Sequence, residues 1–201
     1  MDSEAIKFEE LIQGLIDNAF GCCNDFLSPE TVVGLRNNLH QLSEAGKLKE
    51  SGIGNQSKFQ LNSHIRGDKI NWIEAISQDP FEMLYLAKVS KFISNLNKTC
   101  YTSIASFESH YASYEKGYMY KRNVDKFISE QGRKFSIVLY LNDDWKSEDG
   151  GALSLHPRDQ EVVHITPIGG RMVFFRSDEM SHEVNASPTR DRSSIAGWMK
   201  N

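Results

Sequence analysis

The stretch from Ser106 to Trp198 constrains the fold more than any other part of this chain. Short segments rich in β-branched and aromatic residues recur there: "FESHYASY", "GYMYKRNVD", "KFSIVLYL", "ALSLHP", "EVVHI", "RMVFFR" and "SSIAGWM". Turn residues such as "SEDGG" and "PIGG" punctuate them. No helical pattern intervenes to carry a parallel crossover, so the strands pair as antiparallel neighbours. The expectation is an antiparallel barrel or sandwich of the jelly-roll kind.

The preceding residues read differently. In "EAIKFEELIQGLIDNAF" the apolar side chains Phe8, Leu11, Ile12, Leu15 and Ile16 recur at helical spacing. "CCNDFL" reads as a short strand. Ser28-Pro29 then opens a second helix, with serine at the cap and proline in the first turn. Its buried stripe is Val32, Leu35, Leu39 and Leu42, and Gly46 ends it. "KESGIGNQSKFQ" lacks periodicity and reads as a surface loop. Asp79-Pro80 opens a third helix whose apolar face includes Leu84, Val89, Phe92 and Leu96. These helices are expected to cover the outside of the β-structure. No linker, repeat or low-complexity run divides the chain. One domain over residues 1–201 is expected, mostly helical to 105 and β-core from 106.

A chain of 201 residues can bury a core without disulfides or metal staples. Its net charge of −4 offers no basic face for nucleic acid. No apolar run approaches the length of a membrane span, and the acidic start shows no secretory signal. Cys22, Cys23 and Cys100 do not form a disulfide framework and read as buried thiols of a cytoplasmic protein.

Candidate chemistry begins at "YKRNVD". Residues two apart on a strand share a face, so Asn123 and Asp125 should project together. His182 in "SDEMSHEV" follows a strand, and Arg192 opens the last one. Imidazole and carboxylate donors with a late arginine are parts of a non-haem iron site that leaves positions open on the metal. The arginine fork suits the remote carboxylate of a dicarboxylate co-substrate. Taken alone, each residue has a blander reading: turn residues, a satisfied histidine, a surface ion pair worth little. Joint spacing favours the site. His156 and His164 are rivals that would build an all-histidine, cupin-like centre with His182. They are expected on the outer face. Cys22-Cys23 lacks a nearby base and reads as core.

The segments "NDFLSPET", "IRGDKINWIE" (Ile65–Glu74), "YLNDDWKSEDGGALSLHP", "RMVFFRSDEMSHEV" and Arg192 to Trp198 carry a resemblance along nearly the whole chain. They resemble the Fe(II)- and 2-oxoglutarate-dependent dioxygenases, specifically prolyl 4-hydroxylases of the hypoxia-inducible-factor type and their bacterial relatives. The resemblance implies a double-stranded β-helix with N-terminal helices. It implies Fe(II), 2-oxoglutarate as co-substrate, O2, and ascorbate as an optional accessory; charge and hydropathy point to no nucleic-acid and no membrane partner. It implies that Asp125 and His182 bind metal, and that Arg192 holds 2-oxoglutarate with help from Tyr140. By the same likeness Tyr114 and Tyr120 line the pocket and Trp198 walls it. Arg66 and Asp68 support a substrate loop, and Arg133 with Trp198 flanks the substrate groove. The implied substrate is a proline in a protein loop, of a translation elongation factor or a transcription factor.

The family pattern has histidine where this chain has Asn123. An amide oxygen is a weaker Fe(II) donor than imidazole, so the site reads as damaged, by engineering or by natural attenuation. His110 lies too far back along the chain to be an obvious replacement. The functional expectation is a prolyl hydroxylase impaired at Asn123. The alternatives are an inactive peptide-binding relative and an oxygenase of small molecules.

Overall fold

The computed structural model describes residues 3–52, 66–125 and 132–201. Two helices flank the first strand: α1 (Ser3–Asn18), β1 (Phe20–Cys23) and α2 (Pro29–Glu44). The short strands β2 (Lys49–Glu50) and β3 (Asp68–Ile73) precede the long helix α3 (Pro80–Cys100). Strands β4 (Ser106–Tyr114), β5 (Tyr120–Asn123), β6 (Arg133–Tyr140) and β7 (Leu153–His156) follow. The chain finishes with β8 (Val163–Ile165), β9 (Met172–Arg176), β10 (Ser181–Val184) and β11 (Arg192–Lys200).

The strands form two antiparallel sheets. The larger has the order β1-β9-β6-β11-β4-β3-β2, and the smaller β5-β10-β7-β8. This is the expected jelly roll. Its larger sheet is buried on both faces, which is why "FSIVLY" and "MVFF" read as nearly continuous apolar runs. On its outer face Tyr111, Phe135, Ile137, Leu139, Phe174 and Ile195 pack under the helices. Its inner face turns Ala112, Tyr114, Tyr140, Val173 and Phe175 towards Leu153, Leu155 and Val184 of the smaller sheet. The smaller sheet has one covered face, so β10 alternates between buried and half-buried positions with period two.

The helices are fixed by local chemistry. The Ser28 hydroxyl accepts from the Thr31 amide at 3.2 Å, and Asp79 Oδ1 accepts from the Phe81 and Glu82 amides, each at 2.9 Å. Pro29 and Pro80 occupy the first turn, where no amide hydrogen is needed. Helix α1 lies so close to β1 that a Cβ on Gly21 would stand 2.0 Å from the Leu11 carbonyl oxygen. Glycine is required there by the approach of two backbones.

Several expectations need correction. Ile16 is 70% exposed, so the buried face of α1 is Phe8, Leu11 and Ile12. In α3 the residue turned to the core is Tyr85 and not Leu84, because the helix rolls one position further. Cys100 is exposed at the end of α3, whereas Cys23 is buried and Cys22 partly so. Lys49-Glu50 pairs with β3 instead of belonging to a loop, and "DKINWI" is a strand that its mixed polarity concealed. The rest of the expected loop, including "GIGNQSKF", lies outside the described residues.

The Asp79 cap serves two amides, so Asp79→Ala is expected to cost about 1 kcal/mol of unfolding free energy. Urea denaturation measures this, and an unchanged midpoint would contradict the capping role.

Candidate active site

The inner faces of the two sheets meet around a pocket with a cavity of about 60 Å³. Register decides who lines it. Asp68, Tyr114 and Arg192 sit abreast on β3, β4 and β11, and Trp72, His110 and Ala196 form the next row but one. From the smaller sheet, His182 and Val184 of β10 face the same space, with Asp125 beyond the end of β5.

Arg192 is the unusual member. It is only 2% exposed, with its guanidinium 5.3 Å from the Tyr114 ring and 5.1 Å from the Tyr140 ring. Among the described residues no carboxylate pairs with it. Its Nε and the Tyr140 hydroxyl are both buried without a hydrogen-bond partner. A buried cation without a counter-charge is costly, so this end of the pocket is built for an anion. Burial pushes the Tyr140 phenol up to about 12, with the Arg192 charge pulling the other way, and holds Tyr114 well above its ordinary value. Both are neutral donors at neutral pH.

The other end carries metal donors. His182 Nδ1 lies 3.1 Å from the Met180 carbonyl oxygen. A carbonyl only accepts, so Nδ1 carries the hydrogen and Nε2 keeps its lone pair. That Nε2 is 3.7 Å from Asp125 Oδ1. The second carboxylate oxygen, Oδ2, accepts from the Ser136 hydroxyl at 2.7 Å, which itself touches Ser177 Oγ at 2.8 Å. Such contacts fix the orientation of the Asp125 carboxylate, as hydrogen bonds around metal sites do for their ligands. Asn123 stands directly across from His182 in the β5–β10 pair, with its Oδ1 buried and unpartnered. An imidazole nitrogen and a carboxylate oxygen therefore line the pocket, with the amide oxygen of Asn123 on the same face of the β5–β10 pair. Among the described residues no group of three or more His, Cys, Asp or Glu is placed to hold a metal. The donor set fits a divalent cation only if the amide counts.

Two details of placement differ from the sequence reading. Asp125 follows β5 rather than lying in it, and His182 is within β10 rather than after it. Arg66 makes a two-pronged contact with Asp68, Nε to Oδ1 at 2.7 Å and a terminal nitrogen to Oδ2 at 3.0 Å. It lies 4.8 Å over the Tyr120 ring. Burial opposes the Arg66 charge, but the Asp68 hydrogen bonds and charge outweigh it and raise the pKa. Arg133 lies 3.9 Å over the Trp198 ring and donates to the Asp125 backbone oxygen at 3.3 Å, tying the pocket wall to the donor segment. His156 and His164 are on the opposite face of the smaller sheet, bound to Glu183 and Ser154. Burial raises both Cys22 and Cys23, the latter to about 12, so neither is a thiolate.

Distance along the chain conceals the role of His110. It lines the same pocket, 2% exposed, with rings of Trp72 and Trp198 at 5.1 and 5.4 Å. Its alternation with Ala112 and Tyr114 was the available signal. Nδ1 faces the Tyr111 carbonyl at 3.0 Å, and burial lowers the pKa to about 4. The ring is neutral at physiological pH.

The profile of the 2OG-Fe(II) oxygenase superfamily matches residues 109–200, the segment that contributes Asn123, Asp125, His182 and Arg192. A prolyl-4-hydroxylase from Pseudomonas putida superposes with a TM-score of 0.89 at 29% identity, covering 96% of this chain and 99% of that one. Over residues 109–200 the chain is similar to the 2OG-Fe(II) oxygenase superfamily. Within it, a Trichoplax adhaerens prolyl hydroxylase, solved with a peptide fragment of the hypoxia inducible factor oxygen degradation domain, gives a TM-score of 0.87. It is 28% identical, covering 98% of this chain and 90% of that one. Human Egl nine homolog 1 is 31% identical over 193 residues, covering 90% of this chain and 44% of that protein. The chain spans about half the length of the curated relatives it matches first, 44–55%. The family implies Fe(II) and 2-oxoglutarate. No helix among the described residues is long and apolar enough to cross a membrane.

Two outcomes are expected. Removing one neutral donor from a charged partner costs roughly ten- to a hundredfold, so Tyr140→Phe should weaken 2-oxoglutarate by about that factor and Arg192→Leu by more. Calorimetry measures both, and equal binding by Arg192→Leu would exclude this anion site. For His110 the unfolded chain takes up a proton near pH 6.5, whereas the folded chain resists until about pH 4. Stability therefore falls as pH drops through that window, by up to about 3 kcal/mol. His110→Gln should flatten that slope in pH-dependent urea melts.

Proposed function

We propose that this chain hydroxylates a proline in a protein substrate, with 2-oxoglutarate and O2 as co-substrates, at a rate reduced by Asn123. The buried, unpaired Arg192 beside the Tyr140 hydroxyl, opening on the same pocket as Asp125 and His182, carries the reading. An oxygenase needs both a metal face and a carboxylate anchor in one dry space, and this pocket offers both.

Asp125 and His182, with Asn123 beside them, would hold the metal, and Arg192 with Tyr140 would fix the remote carboxylate of 2-oxoglutarate. When bound, Fe(II) with that co-substrate supplies the oxidation: one oxygen atom of O2 goes to succinate, CO2 leaves, and the other atom enters the proline C–H bond. The chain's own residues bind, orient and exclude water. Ser136 holds Asp125 in one rotamer through its 2.7 Å hydrogen bond. The Trp72, His110 and Trp198 rings pack edge-on and tilted against one another, and His110 and Trp198 wall the pocket. Tyr114 and Tyr120 complete the lining. Arg66, Asp68 and Arg133 support the substrate side.

The peptide bound to the Trichoplax relative supports a protein substrate here. A proline-bearing loop of a translation elongation factor or a transcription factor is the class proposed, in the cytoplasm, by a single domain over residues 1–201. Asn123 also favours a second reading, a relative that binds the peptide without oxidising it.

Succinate formation separates the two. The chain is expected to convert 2-oxoglutarate at least about tenfold more slowly than its Asn123→His variant, the scale on which metal sites respond to lost partners. Mass spectrometry of a candidate substrate should find one added oxygen on one proline. No succinate from either protein would exclude hydroxylation.

A further inference from the structure

The pocket's departure from the family pattern has its own chemistry. Asn123 is held across from His182 by the β5–β10 pairing, so the two side chains share a face. Its Oδ1 is buried with no partner, in a fold whose buried polar atoms are mostly satisfied. Its two neighbours on that side each have one donor tied back to the protein and one left open. His182 commits Nδ1 to the Met180 carbonyl, and Asp125 commits Oδ2 to Ser136. The open atoms, His182 Nε2 and Asp125 Oδ1, are 3.7 Å apart, close enough for one ion to touch both. His110 cannot complete the set, since no third His, Cys, Asp or Glu among the described residues joins this pair.

We propose that Asn123 is itself a metal ligand through Oδ1, and that the resulting one-nitrogen, two-oxygen face selects Mn(II) over nitrogen-seeking late metals such as Ni(II). The inference rests on the metal-site reading given above. Amide and imidazole are both neutral, so exchanging one for the other leaves the charge of the site unchanged. What changes is donor type. Carbonyl and carboxylate oxygens suit Mn(II) and Mg(II), whereas imidazole strengthens Ni(II), Cu(II) and Zn(II) in particular. Removing one imidazole therefore costs the late metals more than it costs Mn(II). The supporting hydrogen bonds on Asp125 and His182 are intact, so the site keeps its shape.

The test is titration of the full chain with Mn(II) and with Ni(II) by calorimetry, beside three variants, with circular dichroism as the folding control. Asn123→Ala removes the oxygen and should lower Mn(II) affinity at least about tenfold. Asn123→Asp keeps an oxygen and adds charge, so it should match or exceed the parent for Mn(II). Asn123→His should raise Ni(II) affinity by about tenfold more than it raises Mn(II) affinity. Pulsed electron paramagnetic resonance of bound Cu(II) should count one imidazole in the parent and two in Asn123→His. Folded Asn123→Ala with parental Mn(II) affinity would overturn the role of Asn123 while leaving the site in place. Failure of both parent and Asn123→His to bind either metal would overturn the site reading as well.

Discussion

A guanidinium buried without a counter-charge is the constraint on which the rest of this molecule depends. Arg192 is packed between the faces of two tyrosines at the start of the last strand, and among the described residues no carboxylate pairs with it. The aromatic faces offset part of the desolvation, and an anionic ligand would supply the remainder. The arrangement demands that β4, β6 and β11 lie side by side, because Tyr114, Tyr140 and Arg192 come from those strands. It also demands that the smaller sheet close over them.

The helices make this possible. The inner face shares its apolar cluster with the polar side chains that line the pocket. The larger apolar cluster lies on the outer face under the helices, with Phe92 against Phe174 at 5.1 Å and Phe8 against Phe92 at the same distance. That outer cluster helps offset the cost of unpaired polar atoms on the inner side. Four of the eight unsatisfied buried side-chain atoms among the described residues, Asn123 Oδ1, Tyr140 OH, Arg192 Nε and Trp198 Nε1, lie on that inner side or at its edge. Such atoms are expensive to bury unless a ligand completes them.

Asn123 occupies a strand position whose backbone pairs with β10 whatever its side chain. The architecture is therefore independent of which side chain stands there. His110 is the complementary case. It is neutral and confined by two tryptophans, and it shapes the pocket wall without joining the donors.

By itself the sequence determined the class of fold, the capped helices at Ser28 and Asp79, and the grouping of Asp125, His182 and Arg192, which line one pocket. These are legible because period-two alternation, cap chemistry and motif spacing are local properties of the chain. It also exposed the donor change at Asn123. The tertiary structure alone decided that "DKINWI" is a strand, that Tyr85 rather than Leu84 faces the core, and that His110 enters the pocket. Each depends on which strand or helix lies alongside, and an antiparallel sheet places residues from opposite ends of a chain abreast. Sequence separation carries no information about that neighbourhood, since strand register, not chain distance, sets which side chains share a space.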